Sequence, residues 1–151
     1  MGTTIERHTH VDLEEGVQCL MGERKGIANV KYAKFMGVAF ILFGIFGMVY
    51  AGEAVLGFGL SPAQNLLHLI TGVLWIAAVM TFDGTYARMI NQVNGILYFS
   101  LGAFGLSQAA PDVVALFNIN TVSTMFNLFI GLVTLGFGWG INQSHLKHWW
   151  P

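Results

Sequence analysis

Charged residues are absent from four long stretches of this sequence, and this spacing restricts the fold more than any other feature. The stretches are 35–52, 54–82, 89–111 and 113–146. A helix crosses a hydrocarbon core of about 30 Å with about 20 mostly apolar residues, so each stretch can hold one transmembrane helix. The last stretch is the longest, but its first third is polar and leaves room for only one helix. The sequence therefore predicts four transmembrane helices.

The predicted spans are Ala33–Tyr50, Ala63–Met80, Tyr86–Ser107 and Thr121–Ile141. Ser61 and Pro62 are expected to open the second span as helix cap and first-turn proline, because proline lacks the amide that a helix start leaves unpaired. We thus predict an all-α, polytopic membrane protein with its transmembrane domain at 32–142. Residues 1–31 are expected to form a cytoplasmic tail with a short amphipathic helix, and 143–151 a cytoplasmic interfacial tail.

The composition excludes several classes of protein. Hydrophobic residues make up 54% of the chain and charged residues 10%, whereas a soluble globular domain has about 25% charged residues. The formal net charge is −1 and there is no run of Lys or Arg, so we expect no nucleic-acid partner. Cys19 is the single cysteine, which excludes an intrachain disulfide and a Cys-x-x-Cys motif.

The basic residues predict the orientation, because Lys and Arg accumulate in cytoplasmic loops. Five of them lie before or at the start of the first span, Arg88 begins the third span and Lys147 follows the fourth. The only charged residues in the other two loops are the acids Glu53 and Asp112. Both termini are therefore predicted to lie in the cytoplasm, with the spans in the inner membrane or in another energy-transducing membrane.

The intramembrane polar and glycine residues indicate that a two-helix hairpin occurs twice. The matching positions in the first and third spans are Gly37, Gly44 and Gly47 with Gly95, Gly102 and Gly105. Those in the second and fourth spans are Asn65, His68 and Gly72 with Thr124, Asn127 and Gly131. Each hairpin has an even number of spans, so a pseudo-twofold axis along the membrane normal is expected. We predict an antiparallel four-helix bundle in which these glycines allow close helix packing.

A motif in the second span resembles a family of small four-helix bacterial membrane proteins that is catalogued as a domain of unknown function. The motif is Asn-Leu-Leu-His-Leu-Ile-Thr-Gly at 65–72, with a weaker echo around Asn127 and glycine-rich first and third spans. The resemblance covers roughly 31–141. It implies the four-helix fold and no particular activity. The fourth helix of that family often carries a histidine, where this chain has Asn127, so a paired-histidine site is not implied.

His68 is the candidate functional residue, because an ionisable side chain inside a span is costly to bury and usually faces the bundle interior. The structural interpretation is a neutral histidine hydrogen-bonded to Asn127, Thr124 or a backbone carbonyl. The alternative interpretations are an axial ligand to haem or chlorophyll, or a contact for a proton or a quinone. The remaining histidines lie outside the spans, so they cannot pair with His68 at a haem, and no metal site is expected.

Two hypotheses for the function follow. No nucleophile with an adjacent base and no acid inside a span is present, so the first hypothesis is a non-enzymatic structural or accessory protein. Its partners would be membrane lipids and either other membrane subunits or copies of itself. The second hypothesis is a redox or cofactor protein that uses His68.

Overall fold

The structure is a computed structural model that describes residues 28–50, 54–55, 57–59, 61–81, 84 and 86–139. The predicted amphipathic helix, Cys19 and the predicted C-terminal tail lie outside these residues.

Four long helices follow the order of the predicted spans. They are α1 (Ala28–Val49), α2 (Pro62–Met80), α3 (Ala87–Ser107) and α5 (Thr121–Trp139), with a short helix α4 (Pro111–Leu116) before the last. The predicted limits agree within two residues except at the start of α1, which begins five residues before Ala33. This early start brings Asn29 into the helix, where its side chain is buried and accepts a hydrogen bond from Asn91.

Three of these helices, α1, α2 and α5, are long and apolar enough to cross a membrane, with mean hydropathies of 1.9, 1.5 and 1.5. By length and composition the chain is therefore a multi-pass membrane protein. α3 has 21 residues, but Arg88, Asn91, Gln92 and Asn94 occupy its first two turns and make it the least apolar of the four.

The start of α2 confirms the predicted cap. Ser61 has an extended backbone, and its hydroxyl accepts a hydrogen bond from the amide of Gln64 at 3.1 Å. Pro62 follows as the first helical residue, where its missing amide costs no hydrogen bond. The sequence signal therefore fixes where this helix begins.

A small β-hairpin lies between α1 and α2. Its strands, Ala54–Val55 (β1) and Phe58–Gly59 (β2), pair antiparallel. Gly57 has φ +83°, a value that glycine adopts at little cost, and its carbonyl accepts a hydrogen bond from Asn120 Nδ2 at 2.8 Å. The hairpin therefore contacts the loop before α5, and the sequence did not predict it.

Three helices meet at the start of α1. The Tyr32 and Thr134 hydroxyls are 2.5 Å apart, and the Tyr32 ring stacks on Phe137 with centroids 4.1 Å apart. The side chain of Asn29 contacts Asn91 near the start of α3. The first turns of α1 therefore lie beside the first turns of α3 and the last turns of α5.

Polar side chains lie inside this arrangement and large apolar ones lie outside. Eleven polar and nine hydrophobic residues are buried among those described. Large exposed hydrophobic side chains occur on every long helix, for example Phe35, Leu66, Leu106 and Phe129. This distribution suits a lipid environment, where apolar side chains gain little by leaving the lipid and polar groups join helices.

Candidate functional site

The inward face of α2 carries most of the candidate site. Its buried residues are Gln64, Asn65, His68, Thr71, Gly72, Trp75 and Ala78. They recur at intervals of one, three and four, so they form one helical face. His68, the predicted functional residue, lies near the middle of this face and is 1% exposed.

Aromatic rings from two other helices surround the His68 imidazole. Phe40 and Phe43 of α1 contact it edge-on, with ring centroids 5.1 and 5.3 Å away. Tyr98 of α3 stacks against it at 6.0 Å. The imidazole is thus packed as one ring in an aromatic cluster between α1, α2 and α3.

The predicted hydrogen bond from His68 to Asn127, Thr124 or a carbonyl is wrong for this structure. Neither imidazole nitrogen has a partner among the described residues. The physical reason is the aromatic cluster, since Phe40, Phe43 and Tyr98 pack around the imidazole.

Asn127 and Thr124 are nevertheless buried, as predicted for inward positions of the last span. Thr124 is 4% and Asn127 2% exposed. Asn127 Oδ1 has no partner among the described residues. The Asn65 side chain has neither its oxygen Oδ1 nor its nitrogen Nδ2 hydrogen-bonded to the described residues. The interior therefore holds several polar atoms that this part of the chain does not satisfy.

A hydrogen-bonded network lies next to the aromatic cluster and was not predicted as a site. Trp75 Nε1 donates to Asn91 Oδ1 at 2.9 Å, and Asn91 Nδ2 donates to Asn29 Oδ1 at 2.9 Å. The Thr71 and Tyr98 hydroxyls are 2.7 Å apart. Trp75 and Tyr98 are fully buried. Thr71 and Trp75 lie three and seven residues after His68, on the same face of one helix. This spacing is the sequence signal that could have placed them in the candidate site.

The glycines of α1 and α2 lie where these helices touch. A Cβ atom at Gly37 would approach Ile76 Cδ1 to 2.8 Å, and one at Gly44 would approach Leu69 Cγ to 2.6 Å. At Gly47 it would overlap the amide of Asn65. Gly72 faces back toward α1, where a Cβ would come within 2.8 Å of the Ile41 amide nitrogen.

The glycines of α3 and α5 repeat this arrangement. A Cβ atom at Gly95 would approach Leu135 Cδ2 to 2.7 Å, and one at Gly102 would approach Leu128 Cγ to 2.6 Å. At Gly105 it would overlap the hydroxyl of Thr124. Gly131 faces α3, where a Cβ would overlap the backbone of Phe99.

The charged residue of α3 is held at the end of α5. Arg88 Nε and Gln92 Nε2 each donate to the Gly138 carbonyl at 3.0 Å. A cation near a helix C-terminus is stabilised by the helix dipole. This accounts for a guanidinium group at the edge of an apolar helix.

The chemistry available to this interior is limited. Within the described ranges no group of three His, Cys, Asp or Glu side chains could hold a metal ion. His8, His10, His145 and His148 lie outside those ranges. The arrangement supplies packing, hydrogen bonding and a single imidazole whose nitrogens have no protein partner within these ranges.

The model of one protein family, described as a domain of unknown function (DUF4383), matches residues 30–140. No curated protein and no solved structure matches the chain.

Proposed function

Since this chain belongs to the DUF4383 family, we propose that it is a non-enzymatic integral membrane protein that acts by packing against partner membrane subunits or against copies of itself. The proposal includes four spans arranged as two duplicated hairpins in an antiparallel bundle. It places both termini in the cytoplasm and the spans in the inner membrane or another energy-transducing membrane.

The glycine contacts support the duplicated hairpin. A shift of 58 residues (37 to 95) relates the first three glycines to the second three. The matched positions are Gly37, Gly44 and Gly47 with Gly95, Gly102 and Gly105. Their contacts Ile76, Leu69 and Asn65 become Leu135, Leu128 and Thr124 on a shift of 59 residues (76 to 135). Two helix pairs therefore use the same contact positions, which is what a repeated unit requires.

The distribution of side chains is the observation that carries the packing role. Eleven polar residues are buried among those described, and the Phe40, Phe43 and Tyr98 rings enclose the His68 imidazole. The outer face is instead rich in large exposed apolar groups, such as Phe129 at 64%. The surface available for contact with membrane partners is therefore extensive.

The cofactor hypothesis keeps one specific observation in its favour. Both His68 nitrogens lack a protein partner among the described residues, and an axial ligand needs one nitrogen free for the metal. A haem or chlorophyll ring would have to displace Phe40, Phe43 or Tyr98 to reach it. We therefore place this function second.

An absorption spectrum of the chain purified in mild detergent separates the two functions. The packing role predicts a colourless protein, or colour only from a complex that elutes with it. A Soret or chlorophyll band that is stoichiometric with the chain and disappears in His68→Gln would reject the packing role in favour of the cofactor. Phe129→Leu is the control, because this side chain faces outward.

A further inference from the structure

An open groove runs along the outer face of α1 over its first four turns, and α1 supplies all of its lining residues. Its volume is about 520 Å³, and its lining residues are Lys31, Lys34, Phe35, Val38, Ala39 and Leu42. They recur at intervals of one, three and four, so they form a continuous stripe on the helix. The two lysines lie at one end of the stripe and the apolar residues extend from them.

The lysines make one end of this groove cationic. Asp112 is the only acidic residue among the described residues, and it is in α4, beyond the far end of α3. Neither lysine therefore has a carboxylate partner in the described part of the chain. Basic groups at a membrane surface attract anionic headgroups, and a basic pocket beside transmembrane helices is a common headgroup site.

The length of the groove matches one leaflet of a bilayer. Lys31 and Leu42 are eleven residues apart, which at 1.5 Å per residue is about 16 Å of helix. Half of a hydrocarbon core of about 30 Å is about 15 Å. An acyl chain that starts at the lysines would therefore end near Leu42.

We propose that this groove binds one acidic phospholipid. Its phosphate lies between the Lys31 and Lys34 ammonium groups, and one acyl chain lies along Phe35, Val38 and Leu42. This site is separate from the interior around His68 and does not depend on the proposed packing role.

Charge favours the lipid over a second copy of the chain. If two copies met symmetrically through this face, Lys31 and Lys34 of each would approach the same pair in the other. Like charges across an interface disfavour such contact. A phosphate diester instead supplies the opposite charge and an apolar tail in one molecule.

Native mass spectrometry of the full chain in a zwitterionic detergent tests the proposal, with phosphatidylglycerol and phosphatidylcholine added at equal concentration. We expect one phosphatidylglycerol to be retained with at least tenfold preference. Lys31→Gln with Lys34→Gln should remove that preference, since each surface cation contributes to headgroup attraction. Lys31→Arg with Lys34→Arg, which keeps both charges, should retain it.

A second pair of variants tests the apolar part. Val38→Trp should fill the groove and reduce retention of phosphatidylglycerol about tenfold or more, whereas Val73→Trp, at an exposed position of α2, should not. Equal retention of the two lipids, or a preference that persists in the glutamine variant, would overturn the proposal. So would a dimer that is lost in Val38→Trp while lipid retention stays unchanged, because the groove would then join two copies of the chain.

Discussion

His68 shows how a polar residue can be accommodated in an aromatic cluster. Both of its nitrogens are unbonded within the described residues, and Phe40, Phe43 and Tyr98 surround the ring. A buried polar group without a partner costs about 1–3 kcal/mol. In this structure the ring stabilises the fold by packing, whereas its two unbonded nitrogens do not stabilise it.

Replacing His68 separates these contributions. His68→Phe should keep or raise the thermal stability in detergent, because it retains a ring and removes two unsatisfied atoms. His68→Ala should lower the free energy of unfolding by roughly 2–4 kcal/mol through the cavity it leaves. Both are measured by thermal unfolding followed by circular dichroism.

The matched control is Phe129→Ala, which truncates an exposed ring and should have a small effect. If His68→Phe lowers the stability as much as His68→Ala, the imidazole must form a hydrogen bond in the native protein. The packing interpretation of His68 would then be wrong.

The sequence predicted which polar residues turn inward but not their neighbours. His68 was expected to face the interior of the bundle with Thr124 or Asn127 near it, and all three residues are buried. The rings that enclose His68 were not predicted, because Phe occurs twelve times and inner and outer positions are both apolar in lipid. Phe40 is 4% and Phe35 70% exposed, yet nothing in the local sequence distinguishes them.

At the scale of elements, the glycines set the distance between paired helices. Gly44→Leu and Gly102→Leu should each lower the free energy of unfolding by about 1–3 kcal/mol or more. The new side chain would overlap the facing leucine and the backbone beside it. The two losses should be similar if the hairpins are duplicates. Thermal unfolding in detergent is the measurement.

Phe129→Leu is the control, because this residue faces away from the other helices. Equal tolerance of leucine at Gly44, Gly102 and position 129 would show that these glycines do not set helix contacts. Strong loss at only one glycine would contradict the duplication.

The long helices were predictable and the short elements were not. A helix of about 20 apolar residues has a clear sequence signal, whereas α4 has six residues and the hairpin strands two each. The hairpin is held by contacts distant in sequence. Phe58 lies edge-on to Phe43 at 5.9 Å and to Phe126 at 5.5 Å.

At the scale of the whole molecule, the least apolar helix decides the number of spans. If α3 crosses the membrane, Ala109 lies on the outer side and Cys19 in the cytoplasm. In intact cells a membrane-impermeant maleimide should leave Cys19 unlabelled until the cells are broken. Ala109→Cys, in a Cys19→Ser background, should be labelled in intact cells because this position is exposed.

Labelling of Cys19 in intact cells would reverse the orientation. Protection of both cysteines until lysis would place Ala109 in the cytoplasm and remove α3 from the spans. An introduced cysteine at Val73, in the same background, is the control, because a residue facing lipid should stay unlabelled in both states.

The polar start of α3 also bears on how the ribosome delivers this chain to the bilayer. Among the described residues, the Asn91 side chain bonds to Trp75 of α2 and Asn29 of α1, which are both made before it. The carbonyl that receives Arg88 and Gln92 belongs to Gly138, which is synthesised about fifty residues later. During translation, α3 can therefore find partners for Asn91 as it emerges but must wait for α5 before Arg88 and Gln92 have theirs. If α3 crosses the membrane, the second half of the chain should thus complete its insertion as a pair of helices, after the first half has assembled.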